Sequence, residues 1–170
     1  IGTTTFPTGI AQASTFDSEI LQRMGQVIAL ELRSQGGLVG YGPVLDIARD
    51  PRWGRMEETF GEDPVLAGVL GSAIVKGMQG DDIADGRHFC STLKHFAAYG
   101  VSEGGLNGES NSMGKRTLLS EYIPQFKSAV EAGASSVMTS YNSIDGIPCT
   151  CNSYLLTNVL RNQWGFDGVV

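Results

Sequence analysis

The segment CSTLKHFAAYG, residues 90–100, has the pattern of a short apolar strand that ends near a glycine and carries two adjacent cationic side chains. Neighbouring side chains of a regular strand point to opposite faces of its sheet. If the strand were regular, Lys94 or His95 would therefore point into a packed layer. We expect the backbone to depart from regular strand geometry here, so that both side chains reach one ligand.

Segments of the same short, apolar kind recur along the chain. Strands are predicted at residues 38–48, 91–97 and 135–142 and at the terminal GVV. Helices are predicted between them at residues 17–35, from 63 onward, at 115–132 with a break at Pro124, and at 152–164. Asp17 and Asp63 stand where the capping residues of the first two helices should be.

Strands that are apolar throughout and alternate with helices indicate an α/β protein with a parallel sheet covered by helices. A doubly wound open sheet and a (β/α)8 TIM-barrel-like fold both fit this order. The long polar segments 49–61 and 99–114 follow strand ends, where barrel enzymes build their sites, and they favour the barrel. A complete barrel needs about 250 residues, so we expect only about half of one in these 170 residues.

The composition excludes several classes of partner. With 18 acidic and 12 basic residues the net charge is −6, which argues against a nucleic-acid partner. No apolar run is long enough to span a bilayer, so no membrane partner is expected. The three cysteines lack metal-ligand spacing, and the glycines match no phosphate-binding or dinucleotide motif. We therefore expect no metal and no cofactor.

The segment DIARDPRWGRMEETFGEDP, residues 46–64, gathers the residues best suited to a polyhydroxylated ligand. Arg49, Arg52 and Arg55 offer forked donors, Trp53 offers a flat apolar face, and several acids follow. An internal network of ion pairs that stiffens the loop would use the same residues, and both interpretations stay open here. A weaker signal is VMTSYN, residues 137–142, where Tyr141 and Asn142 end another predicted strand.

These residues lie in motifs that resemble glycoside hydrolase family 3, in its β-glucosidase and β-xylosidase branch. The motifs are TFPTGIAQASTFD, GPVLDIARDPRWGRMEETFGEDP, TLKHFAAYG, SVMTSYNSIDGIPCTCN and LLTNVLRNQWGFDGVV. The related hexosaminidase branch has KHFPGHG where this chain has KHFAAYG. The resemblance covers essentially all 170 residues and implies a (β/α)8-like first domain followed by an α/β sandwich domain, which is absent from this chain.

The resemblance also implies roles for individual residues. Arg55, Lys94 and His95 would bind sugar hydroxyls in the first subsite, and Met138 and Tyr141 would line that pocket. Asp46, Glu58 and Trp53 are expected to support these residues without touching the sugar. The family's nucleophile, an aspartate, would lie beyond Val170 and the acid/base in the later domain, so no catalytic residue is expected within this chain.

The function expected from the resemblance is that of an exo-acting retaining β-glycosidase. Such an enzyme would release terminal β-D-glucosyl or xylosyl residues from oligosaccharides or glycosides by double displacement. A periplasmic or secreted location is expected if the parent protein is bacterial. The sequence leaves open the choice of sugar, the linkage and the oligomeric state.

Two other interpretations stay open. The chain could be an inactive sugar-binding fragment of a barrel. Alternatively, Lys94 could form a Schiff base, as in an aldolase-like barrel, if burial lowered its pKa.

Overall fold

The computed structural model describes residues 2–170. Its helices are α1 (Gly9–Ala13), α2 (Ser18–Ser34), α3 (Pro64–Gln79), α4 (Lys115–Thr117), α5 (Pro124–Glu131) and α6 (Tyr154–Gln163). Wider, π-type turns form α6 and the Leu118–Tyr122 segment after α4. The strands are β1 (Val39–Gly40), β2 (Cys90–Phe96), β3 (Ser136–Thr139), β4 (Ser143–Ile144) and β5 (Ile147–Pro148).

The main sheet is parallel and its strands lie in chain order. β2 is the middle strand, with β1 on one side and β3 on the other, and Val169 bridges to Ser136 beyond β3. This confirms the predicted parallel sheet. A barrel adds each βα unit beside the previous one, whereas a doubly wound sheet reverses its strand order, so the observed order is the one a barrel requires.

Three of the predicted strands are too long. Of the residues predicted at 135–142, Ser136–Thr139 form the strand β3. Of the residues predicted at 38–48, only Val39–Gly40 form a strand, and Val44 adds one isolated bridge to Lys94. Pro43 has no N–H to donate, and this interrupts the ladder between those two places. The terminal GVV contributes one bridge, at Val169, instead of a strand.

The predicted helices are confirmed, including their capping residues. The carboxylate of Asp17 accepts hydrogen bonds from the backbone N–H groups of Glu19 and Ile20, both at 3.0 Å. Asp63 accepts two in the same way at the start of α3. Each such cap stabilises its helix by about 1 kcal/mol. The helical segment predicted at 115–132 is broken at Pro124, as expected.

The helices α2, α3 and α5 pack together, and α3 and α5 also contact β2. The core between helices and sheet is formed by buried side chains that include Leu70, Leu93, Phe96 and Phe126. At the end of α3, Oε1 of Gln79 accepts from the backbone N–H groups of Ser91 and Ser135, each at 3.0 Å. This side chain therefore fixes the beginnings of β2 and β3 to the helix layer, and with them the place where β2 ends.

No helix in the described part of the chain is long and apolar enough to cross a bilayer. Residues 2–170 also contain no group of three or more His, Cys, Asp or Glu side chains arranged to hold a metal ion.

Candidate functional site

The carboxyl end of β2 departs from regular strand geometry, as the adjacent Lys94 and His95 predicted. The pairing with β3 slips between Leu93 and Phe96, and the Lys94–His95 peptide bond is cis. The positive charges of both Lys94 and His95 lower the pKa of the Glu58 carboxyl. Both side chains are therefore near enough to Glu58 to influence its ionisation.

The segment after β1 places a carboxylate beside His95. Pro43 O accepts from the backbone N–H of Lys94 at 3.2 Å, and Leu45 N–H donates to Lys94 O at 2.7 Å. Asp46, the next residue, is thereby brought opposite His95. Its Oδ2 lies 2.7 Å from Nδ1 of the imidazole and 3.3 Å from the backbone nitrogen of His95.

The Asp46–His95 pair is almost fully buried, with side-chain exposures of 0% and 1%. Burial raises the pKa of Asp46, while the hydrogen bond and the charge of His95 oppose that rise. We assign the shared proton to Nδ1 of His95, because the carboxyl group also accepts from the backbone N–H. Nε2 is then the ring nitrogen that remains to hydrogen-bond a ligand.

Arg55 is held by two groups. Its Nε and Nη2 donate to the two oxygens of Glu58 at 2.6 and 2.8 Å, and its Nη1 donates to the hydroxyl of Tyr99 at 3.3 Å. The hydrogen bonds from Arg55 are the main reason that the pKa of Glu58 is lowered, with smaller contributions from the charges of Lys94 and His95. Glu58 therefore stays ionised beside Arg55 and keeps the guanidinium in one plane.

Tyr99 lies at the centre of the site, and the sequence interpretation did not include it. It is 2% exposed, and its ring centroid lies 4.8 Å from that of His95, 5.0 Å from that of Trp53 and 5.3 Å from that of Tyr141. Its hydroxyl donates to Oδ1 of Asn107 at 2.5 Å. The sequence signal that could have identified it is an aromatic residue in the polar segment directly after β2.

Tyr141 and Met138, both predicted to line the pocket, occupy different places. The Tyr141 ring lies 5.4 Å from the His95 ring and is 64% exposed, so it offers a free aromatic face beside the imidazole. Met138 is half-buried and lines a hollow of about 320 Å³ together with Thr92 and Val39 on the sheet. The structure thus groups Tyr141 with His95 and places Met138 on the sheet surface.

The charged loop contains internal ion pairs and also one member of the candidate site. Arg49 pairs with Glu121 and donates to the Tyr122 hydroxyl at 3.3 Å, so it ties the loop to the segment before α5. Arg52 pairs with Asp50 on the surface. These two arginines form internal ion pairs. Arg55 is the arginine of the loop that joins the cluster around Tyr99.

The predicted supporting residues lie close to the predicted ligand-binding residues. Trp53 is buried, with the Arg55 guanidinium 5.9 Å from its ring centroid, while Asp46 and Glu58 hold His95 and Arg55. Asn142 is also buried, and its amide reaches Ala98 O at 3.4 Å.

The three cysteines are free thiols, and burial raises the pKa of Cys149. Within residues 2–170, no thiol takes part in the cluster around Tyr99.

The cluster is suited to binding neutral, hydroxyl-rich molecules. Lys94 takes part in none of the six ion pairs formed within residues 2–170, so its ammonium can donate to a ligand. His95 offers Nε2, Arg55 has further N–H groups, and Glu58 accepts. The exposed ring of Tyr141 can contact the apolar face of a sugar. Asp46 and Glu58 each bind a basic side chain, so they are suited to orienting that side chain.

Comparison with known proteins identifies the family. The model of the glycosyl hydrolase family 3 N-terminal domain matches residues 1–170. The chain is 41% identical over 166 residues to a periplasmic β-glucosidase of Salmonella typhimurium, covering 98% of this chain and 22% of that protein. It is also 41% identical over 172 residues to a β-xylosidase of Formosa agariphila, covering 99% of this chain and 24% of the relative.

Solved structures agree with these relatives. A β-glucosidase of Listeria innocua in complex with glucose superposes with a TM-score of 0.95 at 44% identity, covering 98% of this chain and 24% of that one. A mutant of a β-glucosidase from the same organism, in complex with laminaribiose, gives 0.95 at 42% identity, with 99% and 24% covered. The chain therefore has the TIM-barrel-like α/β fold of these enzymes and spans about a quarter of their length.

Proposed function

Because the chain belongs to glycosyl hydrolase family 3, we propose that it is part of an exo-acting retaining β-glycosidase and supplies part of the subsite that holds the terminal sugar. The substrates are oligosaccharides or glycosides with a terminal, non-reducing β-D-glucosyl or xylosyl residue. The observation that carries the proposal is the grouping of Arg55, His95 and Tyr141 around Tyr99, with Lys94 next to His95 at the carboxyl end of β2. The names of the relatives and the sugars bound in their structures support this class of substrate.

Each residue has a defined part in holding the sugar. The ammonium of Lys94, Nε2 of His95 and the guanidinium of Arg55 hydrogen-bond its hydroxyl groups, while the Tyr141 ring packs against its apolar face. Met138 stands apart from this group, in the hollow on the sheet surface. Hydrogen bonds to sugar hydroxyls strengthen as the ring distorts toward an oxocarbenium-like transition state, so this subsite contributes to the rate as well as to binding.

The two carboxyl groups of the retaining mechanism lie outside this chain in our proposal. An aspartate that follows Val170 in the longer protein attacks the anomeric carbon, and a residue of the later domain acts as acid and then as base. Water then hydrolyses the glycosyl-enzyme. Residues 1–170 bind and orient the sugar for both steps.

The exposed inner surface of the sheet supports a domain that continues beyond these residues. Val39, Tyr41 and Val169 are 51%, 70% and 68% exposed and border the hollow of about 320 Å³ that Met138 also lines. Apolar side chains of this kind fill the interior of a closed barrel. We infer that this chain forms about half of the barrel and that further strands of the longer protein cover this surface.

The alternative of a Schiff-base lysine is less well supported by the surroundings of Lys94. A lysine nucleophile of that kind is activated by an apolar pocket or by a neighbouring cation. Lys94 is only half-buried, and the family match points to sugar binding instead.

The test uses the longer protein that contains this chain, assayed with p-nitrophenyl β-glucoside and β-xyloside. Lys94→Ala, His95→Ala and Arg55→Ala should each lower kcat/KM by about 30- to 1,000-fold, since losing a transition-state hydrogen bond to a charged group costs about 2 to 4 kcal/mol. Arg52→Ala is the matched control, because Arg52 is 69% exposed and pairs only with Asp50. Near wild-type activity of all three variants would refute the subsite.

A further inference from the structure

Tyr99 contacts the residues proposed to bind the sugar but is itself almost completely buried. Its hydroxyl is already engaged by Arg55 and Asn107. Its ring lies against the rings of His95 and Tyr141. We propose that Tyr99 is a positioning residue, which sets the orientation of Arg55, His95 and Tyr141 toward the sugar. The proposal rests on the proposed function and adds to it a residue that acts through others.

The hydroxyl of Tyr99 fixes the end of Arg55 that Glu58 leaves free. Glu58 holds Nε and Nη2 of the guanidinium, and Nη1 donates to the Tyr99 hydroxyl at 3.3 Å. The same hydroxyl donates its own proton to Oδ1 of Asn107 at 2.5 Å. The Asn107 bond sets the direction of the O–H, so its lone pairs face Arg55. Arg55 is thus held at both ends before a ligand arrives.

The ring of Tyr99 holds the two rings that face the ligand. The planes of Tyr99 and His95 meet at 68° with centroids 4.8 Å apart, an edge-to-face contact. Tyr141 lies against the same ring at 5.3 Å, and the buried Trp53 at 5.0 Å. Asp46 fixes His95 through Nδ1, but a hydrogen bond at one nitrogen leaves the ring free to tilt. The contact with Tyr99 limits that tilt.

The backbone around Tyr99 is built for a close approach to the segment after β1. A Cβ atom at Gly100 would lie 2.7 Å from Ile47 O and 3.2 Å from Cα of Ala48, so a larger residue cannot stand there. The preceding Ala98 has a left-handed conformation with φ of 60°, and Asn111 donates to its carbonyl at 2.8 Å. Tyr99 is therefore placed by tightly packed backbone, which suits a residue that positions others.

The test compares Tyr99→Phe with a matched control in the longer protein. Tyr122→Phe removes a hydroxyl that also accepts from an arginine at 3.3 Å, but from Arg49, which is not proposed to bind the sugar. Tyr99→Phe should lower kcat/KM for p-nitrophenyl β-glucoside about 10-fold through kcat, and weaken isofagomine inhibition by a similar factor, with Tm nearly unchanged. Tyr122→Phe should stay within about twofold of wild type in activity.

A second comparison separates positioning from general stabilisation. If the hydroxyl acts through Arg55, the double variant Tyr99→Phe/Arg55→Ala should be no less active than Arg55→Ala alone. Asn107→Ala, at an exposed position, removes the acceptor of the same hydroxyl and should lower kcat/KM about threefold. This variant replaces Tyr99→Phe in the test if Tyr99→Phe does not fold.

Several outcomes would overturn the proposal. One is wild-type activity of Tyr99→Phe. Another is a double variant whose loss of activity equals the product of the two single losses. Where Asn107→Ala replaces Tyr99→Phe, unchanged activity of Asn107→Ala would overturn it as well. An unmodified longer protein without β-glycosidase activity would refute the proposed function, and the positioning role with it. An active enzyme indifferent to Tyr99→Phe would refute the positioning role alone.

Discussion

Replacing Asp46 by alanine should damage both the stability and the activity of the longer protein. Asp46 is buried, and its carboxylate accepts from Nδ1 of His95 at 2.7 Å and from the backbone N–H of His95 at 3.3 Å. Alanine leaves two buried donors without an acceptor. Each unsatisfied donor costs about 1 to 3 kcal/mol, so with two of them the free energy of unfolding should fall by about 2 to 6 kcal/mol.

The activity should fall for a related reason. Without Asp46 the His95 ring loses the bond that fixes its tautomer and its rotation about the side chain, so Nε2 is no longer held toward the sugar. We expect kcat/KM to fall by about 10- to 100-fold in the folded protein. Asp46→Asn keeps the shape and one acceptor oxygen, so it should lose less than Asp46→Ala in both measurements.

The matched control is the exposed pair of Asp85 and His88. Its carboxylate and Nδ1 are also 2.7 Å apart, but the side chains are 32% and 22% exposed. Asp85 also accepts from the backbone N–H groups of Arg87 and His88, but at an exposed site, so Asp85→Ala should cost only about 1 to 2 kcal/mol and leave kcat/KM unchanged. Denaturant unfolding and steady-state kinetics measure both effects. If Asp46→Ala cost no more than Asp85→Ala, the argument that burial makes the Asp46–His95 pair important would be wrong.

Three further predictions concern other parts of the chain. The pKa of Glu58 should lie below the usual value of about 4.3, because Arg55 and the nearby cations favour its ionised form. Its stabilising contribution is therefore complete above the unfolded pKa and disappears as the pH falls through the folded one. A carbon-13 titration assigned with Glu58→Gln would contradict this by showing a midpoint at or above the usual value. Gln79→Leu should cost about 2 to 4 kcal/mol of unfolding free energy, because three hydrogen bonds at the starts of β2 and β3 are lost, yet leave kcat/KM nearly intact in the folded protein. Wild-type stability in denaturant would argue against that role. The 170-residue chain alone should not hydrolyse p-nitrophenyl β-glucoside, and turnover that Lys94→Ala abolishes would show the opposite.

The helices and the order of the sheet were predictable because their signals are local. Asp17 and Asp63 cap their helices by hydrogen bonds to residues two and three positions away, which adjacent residues in the sequence already indicate. The strand at 38–48 was predicted too long, because its ladder depends on pairing with a distant segment and on the missing N–H of Pro43.

The candidate site was predictable only in part, for the same physical reason. Lys94 and His95 stood out because a regular strand could not place two adjacent cations together. Tyr99 was missed, because its importance comes from contacts with Arg55 and Asn107, which lie 44 and 8 residues away along the chain. Likewise the sequence offered three arginines in one loop, and only the tertiary contacts show that Arg55 is the one beside His95.

The most direct test of the account is a crystal structure of the longer protein with glucose bound. The account predicts one glucose whose hydroxyl oxygens lie within about 3.2 Å of the Arg55 guanidinium, Nζ of Lys94 and Nε2 of His95, with the Tyr141 ring against the sugar. Glucose bound elsewhere, or bound with Lys94 and His95 on opposite sides of the sheet, would contradict the account.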